Sequence, residues 1–195
     1  MKKLTQIIGE NKPVGVAVAA GLGDFVSGYP NQEEQRHRGC YFFCMMAVLL
    51  LIGDVMSTRF PNEQVSIIYD RGKLSEWAAQ KAFTSMKNDA GWRGRNYFLT
   101  AAPMGWEYCV PLQVADLLAY EGYKLIDRHN LGSDELRRSL QSILGQKVPL
   151  SVHSYQTDGF RKLAQMQTIM NAASENLTID LKKIMDSVKA GWGSR

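Results

Sequence analysis

Short apolar runs alternate with helix-length segments along the chain, and this order constrains the fold more than any other feature. Residues 14–20 and 65–69 are rich in valine or isoleucine and end at glycine or aspartate, which predicts buried strands. Residues 97–101 predict a third strand. Helices are predicted over about 33–58, 76–88 and 111–128. The order indicates an α/β fold in which helices cover a largely parallel sheet.

The chain's 195 residues fit one domain with a short extension. We assign residues 1–128 to the α/β core and 129–195 to a mainly helical C-terminal extension packed on it. Beyond the main elements, a short helix is predicted at 3–11, a loop at 21–32, an extended segment at 148–155, and helices at 134–144, 158–171 and 174–190. Ser75 is the predicted N-cap of the helix at 76–88.

Charge and cysteine content limit the class of protein. The formal net charge is +4 with Lys and Arg spread along the chain, a mild bias that suits a polyanionic partner such as nucleic acid. Three cysteines form no disulfide framework and indicate reduced thiols. The most apolar stretch, 40–53, has about 14 residues, which is short for a bilayer span. We therefore predict a cytoplasmic protein without a membrane segment.

Asp70 directly follows a predicted buried strand. Ligands of parallel α/β sheets gather at the carboxyl ends of strands, so this carboxylate is a candidate site residue. Aspartate also favours turns through local hydrogen bonds to the backbone, and Arg71-Gly72 follows immediately. Both interpretations of Asp70 stay open at this point.

Asp116 is the second acidic candidate. On a helical wheel it falls on the same apolar face as Leu112, Ala115, Ala119, Tyr123 and Ile126. That face is predicted to meet the sheet, and a carboxylate there needs a partner or a metal ion because an unpaired buried charge is costly. A buried ion pair is the structural alternative. Gln113 lies about one turn earlier and reaches the same neighbourhood.

Two carboxylates at neighbouring elements suggest metal-dependent chemistry. Mg²⁺ or Mn²⁺ prefers oxygen ligands, and two ions roughly 4 Å apart can activate water for phosphodiester hydrolysis. Asp70 and Asp116 are the candidate catalytic and metal-binding residues. Gln113 and Arg71 are the candidate substrate-binding residues.

The segment VPLQVADLLA at 110–119, with the strand at 67–70 and Gly72 after it, resembles the family labelled domain of unknown function 3800. The resemblance covers about residues 3–128. It implies an RNase H-like mixed sheet covered by helices, with extra C-terminal helices. It also implies a metal-dependent, nuclease-like protein that hydrolyses nucleic acid phosphodiesters with Mg or Mn.

The sequence departs from that family's pattern, since the initial Asp-Glu-Ser strand is not found. The chain is then either truncated or a natural short form. Asp24, in the loop after the first predicted strand, is the candidate to replace the missing metal ligand. The alternative is that Asp24 is a solvated turn residue, which is the usual role of aspartate in a glycine-rich loop. The alternative function is a non-catalytic binding or regulatory module that retains the RNase H-like fold. A sheet lacking early strands exposes an edge, which permits a homodimer.

His37, Cys40 and Cys44 fall on one helical face. Imidazole and thiolates suit zinc, although no fourth ligand is evident. In so apolar a helix, cysteine also serves as a small hydrophobic side chain, and we predict that role for this pair.

Overall fold

The computed structural model describes residues 13–28, 36–130, 136–145 and 150–155, together with 6, 8, 10 and 11 of the N-terminal segment. The strands are β1 (Gly15–Ala20), β2 (Val65–Asp70), β3 (Phe98–Met104) and β4 (Leu150–Tyr155). The helices are α1 (Leu22–Gly28), α2 (Arg36–Arg59), α3 (Lys73–Asn88), α4 (Val110–Asn130) and α5 (Arg138–Gly145). Short 3₁₀ helices occupy Arg93–Tyr97 and Trp106–Tyr108. The helices predicted at 158–171 and 174–190 lie outside the described residues.

The predicted α/β class is confirmed, and the strands form two separate parallel pairs within the described residues. Sheet A pairs β1 with β4, in register from Gly15 opposite Leu150 to Ala20 opposite Tyr155. Sheet B pairs β2 with β3, with Asp70 opposite Met104. Among the described residues, helices cover both faces of sheet A and one face of sheet B, whose other face carries the exposed Ile68 and Leu99.

Sheet A lies between two helices. A Cβ built on Gly122 of α4 would be 3.1 Å from Ala17 and 3.9 Å from Val152, so α4 covers the face that these two residues share. Tyr155 points to the opposite face and packs edge-on against Phe43 of α2, with ring centroids 4.8 Å apart. Glycine at position 122 allows this close approach of α4 to the strand.

The main core lies where α2 and α3 cover one face of sheet B. Ile67 and Tyr69 of β2 are buried there with Leu49 of α2, and α3 adds three small or flexible apolar residues, Ala79, Ala82 and Met86. Trp92 and Phe98 close the end of this core. The indole fits because a Cβ at Gly53 would come within 2.7 Å of it.

A second, smaller core joins α4 to α5. Ile8, Leu118 and Ile143 are buried together, with Val114 and Leu117 packed against them. Leu117 and Leu118 therefore both pack against this second core, and their burial determines which side of α4 faces it.

Helix α2 is longer than the apolar run measured in the sequence. Its residues His37–Arg59 form the one described helix that is long and apolar enough, by length and composition, to cross a membrane. That this stretch is a buried helix and not a membrane span stays a prediction. In the domain α2 is a central helix, in contact with β1, α1, α3 and the 3₁₀ helix Arg93–Tyr97. Cytoplasmic location stays a prediction.

Two local predictions were wrong. The loop predicted at 21–32 contains α1, because Phe25 is buried and its N–H donates to the Gly21 carbonyl at 2.9 Å. Helix α3 begins at Lys73, and its N-cap is Gly72 instead of Ser75. The Glu76 N–H donates to the Gly72 carbonyl at 2.8 Å, so backbone geometry starts this helix earlier than the capping pattern indicated.

Candidate functional site

Asp70 is the last residue of β2 and is exposed. The neighbouring backbone is tied down, because the Arg71 N–H donates to the Met104 carbonyl at 3.1 Å and the Gly72 N–H donates to the Asp70 carbonyl at 3.0 Å. Residues alternate between faces along a strand. Since Ile67 and Tyr69 are buried against α2 and α3, the Asp70 side chain belongs to the other face of sheet B.

The prediction that Asp116 lies on the core face of its helix was wrong. Asp116 is exposed, as are Ala115 and Ala119 of the predicted face. Leu118, two residues along and therefore about 200° around the helix, is buried in the α4–α5 core. Large aliphatic side chains gain more from burial than alanines do, so the leucine face turned inward. Asp116 thus needs no compensating partner.

The two candidate substrate-binding residues differ in their surroundings. Arg71 is exposed beside Asp70. Gln113 is half-buried, and its Nε2 donates to the Trp106 carbonyl at 3.2 Å. That hydrogen bond ties the first turn of α4 to the preceding 3₁₀ helix, so Gln113 has a structural role whether or not it contacts a substrate.

Metal ligation was predicted at Asp70 and Asp116, with Asp24 as a substitute ligand. Within the described part of the chain, no group of three or more His, Cys, Asp or Glu side chains could hold a metal ion. Asp24 lies in the first turn of α1 and not in a glycine-rich loop. The carboxylates therefore offer at most a sparse set of ligands, and the predicted Mg or Mn cofactor stays a prediction.

A groove of about 420 Å³ runs beside β1 and was not predicted from the sequence. Residues 14–18 form its floor. Side chains of two helices form its walls: Tyr41, Cys44, Met45, Val48 and Ile52 from α2, and Ala115, Leu118 and Ala119 from α4.

The floor of the groove is the edge of a strand. Alternate residues of a strand point to opposite faces, so a cavity lined by five consecutive residues meets the strand along its edge and not on one face. Strand β1 pairs with β4 on one side and with no second strand among the described residues. The groove therefore combines a strand edge that no described strand occupies with two apolar walls.

One sequence feature of this groove is a pair of small residues on α4. Ala115 and Ala119 lie one turn apart on α4, and their small side chains were assigned to the core face. In the structure they are exposed and line the groove. A stripe of small residues on a helix is thus compatible with a cavity as well as with a tight interface.

Comparison with known proteins gives no assignment: no family model matches the chain, and no curated protein or solved structure does either. The resemblance to the family labelled domain of unknown function 3800 accordingly stays a prediction.

Proposed function

We propose that this domain is a binding module that accepts an extended strand of a partner polypeptide in the groove beside β1. The observation that carries the proposal is the lining of that groove by four consecutive residues of β1, 15–18, together with Val14 just before the strand. Half of a strand's N–H and C=O groups point to each of its edges. A partner strand would pair with the groups on the free edge, as in strand addition to a sheet.

The shape of the groove favours a strand over a helix. Helices α2 and α4 cover opposite faces of sheet A, so the space between them at the edge of β1 continues the layer of the sheet. An α-helix is about 10–12 Å across with its side chains and has no free backbone groups for the edge of β1. An extended segment has the thickness of the sheet and the required donors and acceptors.

The walls indicate the chemistry of the partner strand. One face of an added strand would meet Met45, Val48 and Ile52, and the other would meet Ala115 and Ala119. Both walls are apolar, so the partner strand should carry aliphatic side chains on both faces, like other strands buried in parallel sheets. The larger side chains belong on the α4 side, where the alanines leave room.

A synthetic strand tests the proposal. We expect a capped, valine- and isoleucine-rich heptapeptide with terminal lysines and a fluorophore to bind, measured by fluorescence polarisation. Two matched control peptides have the same side chains and carry N-methyl groups at alternate residues. In one peptide the N-methyl groups remove the N–H donors of one strand edge, and in the other they remove those of the opposite edge. Binding that depends on one set of donors supports strand addition, whereas equal binding of all the peptides contradicts it.

Filling the groove should abolish this binding. Ala115→Leu and Ala119→Leu add bulk on the α4 wall at exposed positions, so the fold should tolerate them. Overpacking costs about 1–3 kcal/mol, and we expect a roughly tenfold or greater loss of peptide affinity for each. Ala90→Leu, at an exposed turn outside the groove, is the matched control and should bind as the wild type does.

A nuclease-like activity is a second proposal, and one observation favours it. Helix α4, which carries Asp116, contacts β2, which ends at Asp70. Both carboxylates are exposed, and carboxylate oxygens are the ligands that Mg²⁺ and Mn²⁺ prefer. In this proposal they hold the ion while Arg71 and Gln113 contact a nucleic acid phosphodiester, as the family resemblance implies.

Charge-neutral substitutions test the nuclease proposal. We expect Asp70→Asn and Asp116→Asn each to abolish Mg²⁺- or Mn²⁺-dependent cleavage of labelled DNA and RNA without a change in melting temperature, because both side chains are exposed. Asp54→Asn, exposed on α2, is the control that keeps full cleavage. Wild-type protein without metal-dependent cleavage, or an Asp116→Asn variant with full activity, would overturn this proposal.

A further inference from the structure

Cys40 and Cys44 lie four residues apart on α2, and side chains at this spacing are neighbours on one face of a helix. Both side chains are partly exposed, whereas Cys109 is buried. Cys44 also lines the groove beside β1. The pair is thus accessible to solvent on the surface of a central helix, which differs from the core role predicted from the sequence.

The two thiols interact directly. A hydrogen bond from Cys44 to Cys40 lowers the pKa of the Cys40 thiol, against the opposing effect of its burial. The same hydrogen bond, together with burial, raises the pKa of Cys44. Side chains four residues apart on a helix have Cβ atoms about 5–6 Å apart, so a single ion can be bound by both sulfur atoms.

The surroundings determine which ion suits the pair. Among the described residues, no third His, Cys, Asp or Glu completes a group with these thiols. Zinc is bound by four ligands in structural sites, so a pair of thiolates is a poor site for it. Soft thiolate ligands select Cu(I), and a Cu(I) site needs fewer ligands than the four of a structural zinc site.

We propose that Cys40 and Cys44 form a two-thiolate site for a soft monovalent metal ion of the Cu(I) type. Two S–Cu bonds form, and each thiol releases one proton to solvent. The ion keeps its oxidation state, so the step needs no oxidant or reductant. Cys44 lines the groove, so a strand bound there would contact the site, but formation of the site does not require a bound strand.

Phenylarsine oxide is the first probe, because it bridges two neighbouring thiols. Two As–S bonds form, and the oxygen leaves as water with the two thiol protons. We expect one arsenical per native chain, measured by intact-protein mass spectrometry and by titration of free thiols. Cys40→Ser and Cys44→Ser should each weaken binding on the order of 100-fold, since the second bond is no longer intramolecular. Cys109→Ser is the matched control and should bind normally.

Cu(I) itself is the second probe, delivered anaerobically in competition with a chromophoric Cu(I) chelator. One Cu(I) per chain, lost in Cys40→Ser and in Cys44→Ser but kept in Cys109→Ser, is the expected result. Iodoacetamide labelling uses native wild-type protein, so this test does not depend on the folding of the variants. Bound Cu(I) should protect Cys40 and Cys44 together from labelling. The proposal is overturned if the wild type binds the arsenical no more tightly than Cys40→Ser or Cys44→Ser does. It is also overturned if Cu(I) does not protect Cys40 and Cys44 from iodoacetamide.

Discussion

Truncating Phe98 to alanine should destabilise the domain by about 3–5 kcal/mol, the range typical of phenylalanine-to-alanine changes in a core. Phe98 is 1% exposed and stacks on Trp92 with ring centroids 5.2 Å apart, while Phe83 meets it edge-on at 6.2 Å. Removing the ring leaves a cavity at the first residue of β3 and removes the aromatic contacts of Phe98 with Trp92 and Phe83. Chemical denaturation followed by tryptophan fluorescence and far-UV circular dichroism measures the loss.

The neighbouring residue supplies the control for Phe98. Leu99 is 56% exposed on the other face of β3, so Leu99→Ala should change the free energy of unfolding by only about 0.5 kcal/mol or less. Equal effects of the two substitutions would mean that sheet B does not pack on α2 and α3 through this face.

Replacing Arg137 with methionine is expected to cost about 3 kcal/mol, because it leaves a carboxylate buried without its charge partner. Glu121 is 1% exposed, and its Oε1 lies 3.4 Å from a guanidinium nitrogen of Arg137. Its remaining hydrogen bond is donated by Ser139 Oγ at 2.6 Å. The other carboxylate oxygen, Oε2, is buried and makes no hydrogen bond to a described residue.

A double-mutant cycle identifies the cause of that loss. Glu121→Leu alone should cost less, because Arg137 is 29% exposed and keeps its contact with the Tyr120 ring. The double variant Glu121→Leu/Arg137→Met should recover most of the stability, since an apolar pair of similar volume can replace a buried ion pair. Additive losses in the double variant would contradict the buried-charge explanation.

The strands could be predicted from the sequence because each is a short apolar run with a clear end. Residues 65–69 include three aliphatic residues and stop at Asp70, and β2 is observed at Val65–Asp70. Helix α1 could not be predicted this way. Its seven residues, Leu22–Gly28, contain two glycines and little helical periodicity, and it forms where Phe25 finds a buried position. Tertiary packing overrode the local signal there.

Neither the groove beside β1 nor the exposed position of Asp116 could be predicted from the sequence. Two apolar stripes compete on α4, one with alanines and Tyr123 and one with Leu117, Leu118 and Leu125. Composition does not say which stripe is buried. Choosing the first one placed Asp116 in the core, whereas Asp116 is exposed and Leu118 is buried. The groove beside β1 depends on which strands pair and which edge stays free, and a single sequence carries little information about that long-range arrangement.

Amide hydrogen exchange of β1, with and without the heptapeptide strand, tests the binding module most directly. Without the peptide, alternate amides of Gly15–Ala20 should be protected by pairing with β4, and the others should exchange quickly at the free edge. Addition of the peptide should slow that second set and leave the amides of β2 unchanged. Uniform protection of β1 before addition, or unchanged exchange after saturation with the peptide, would contradict the account.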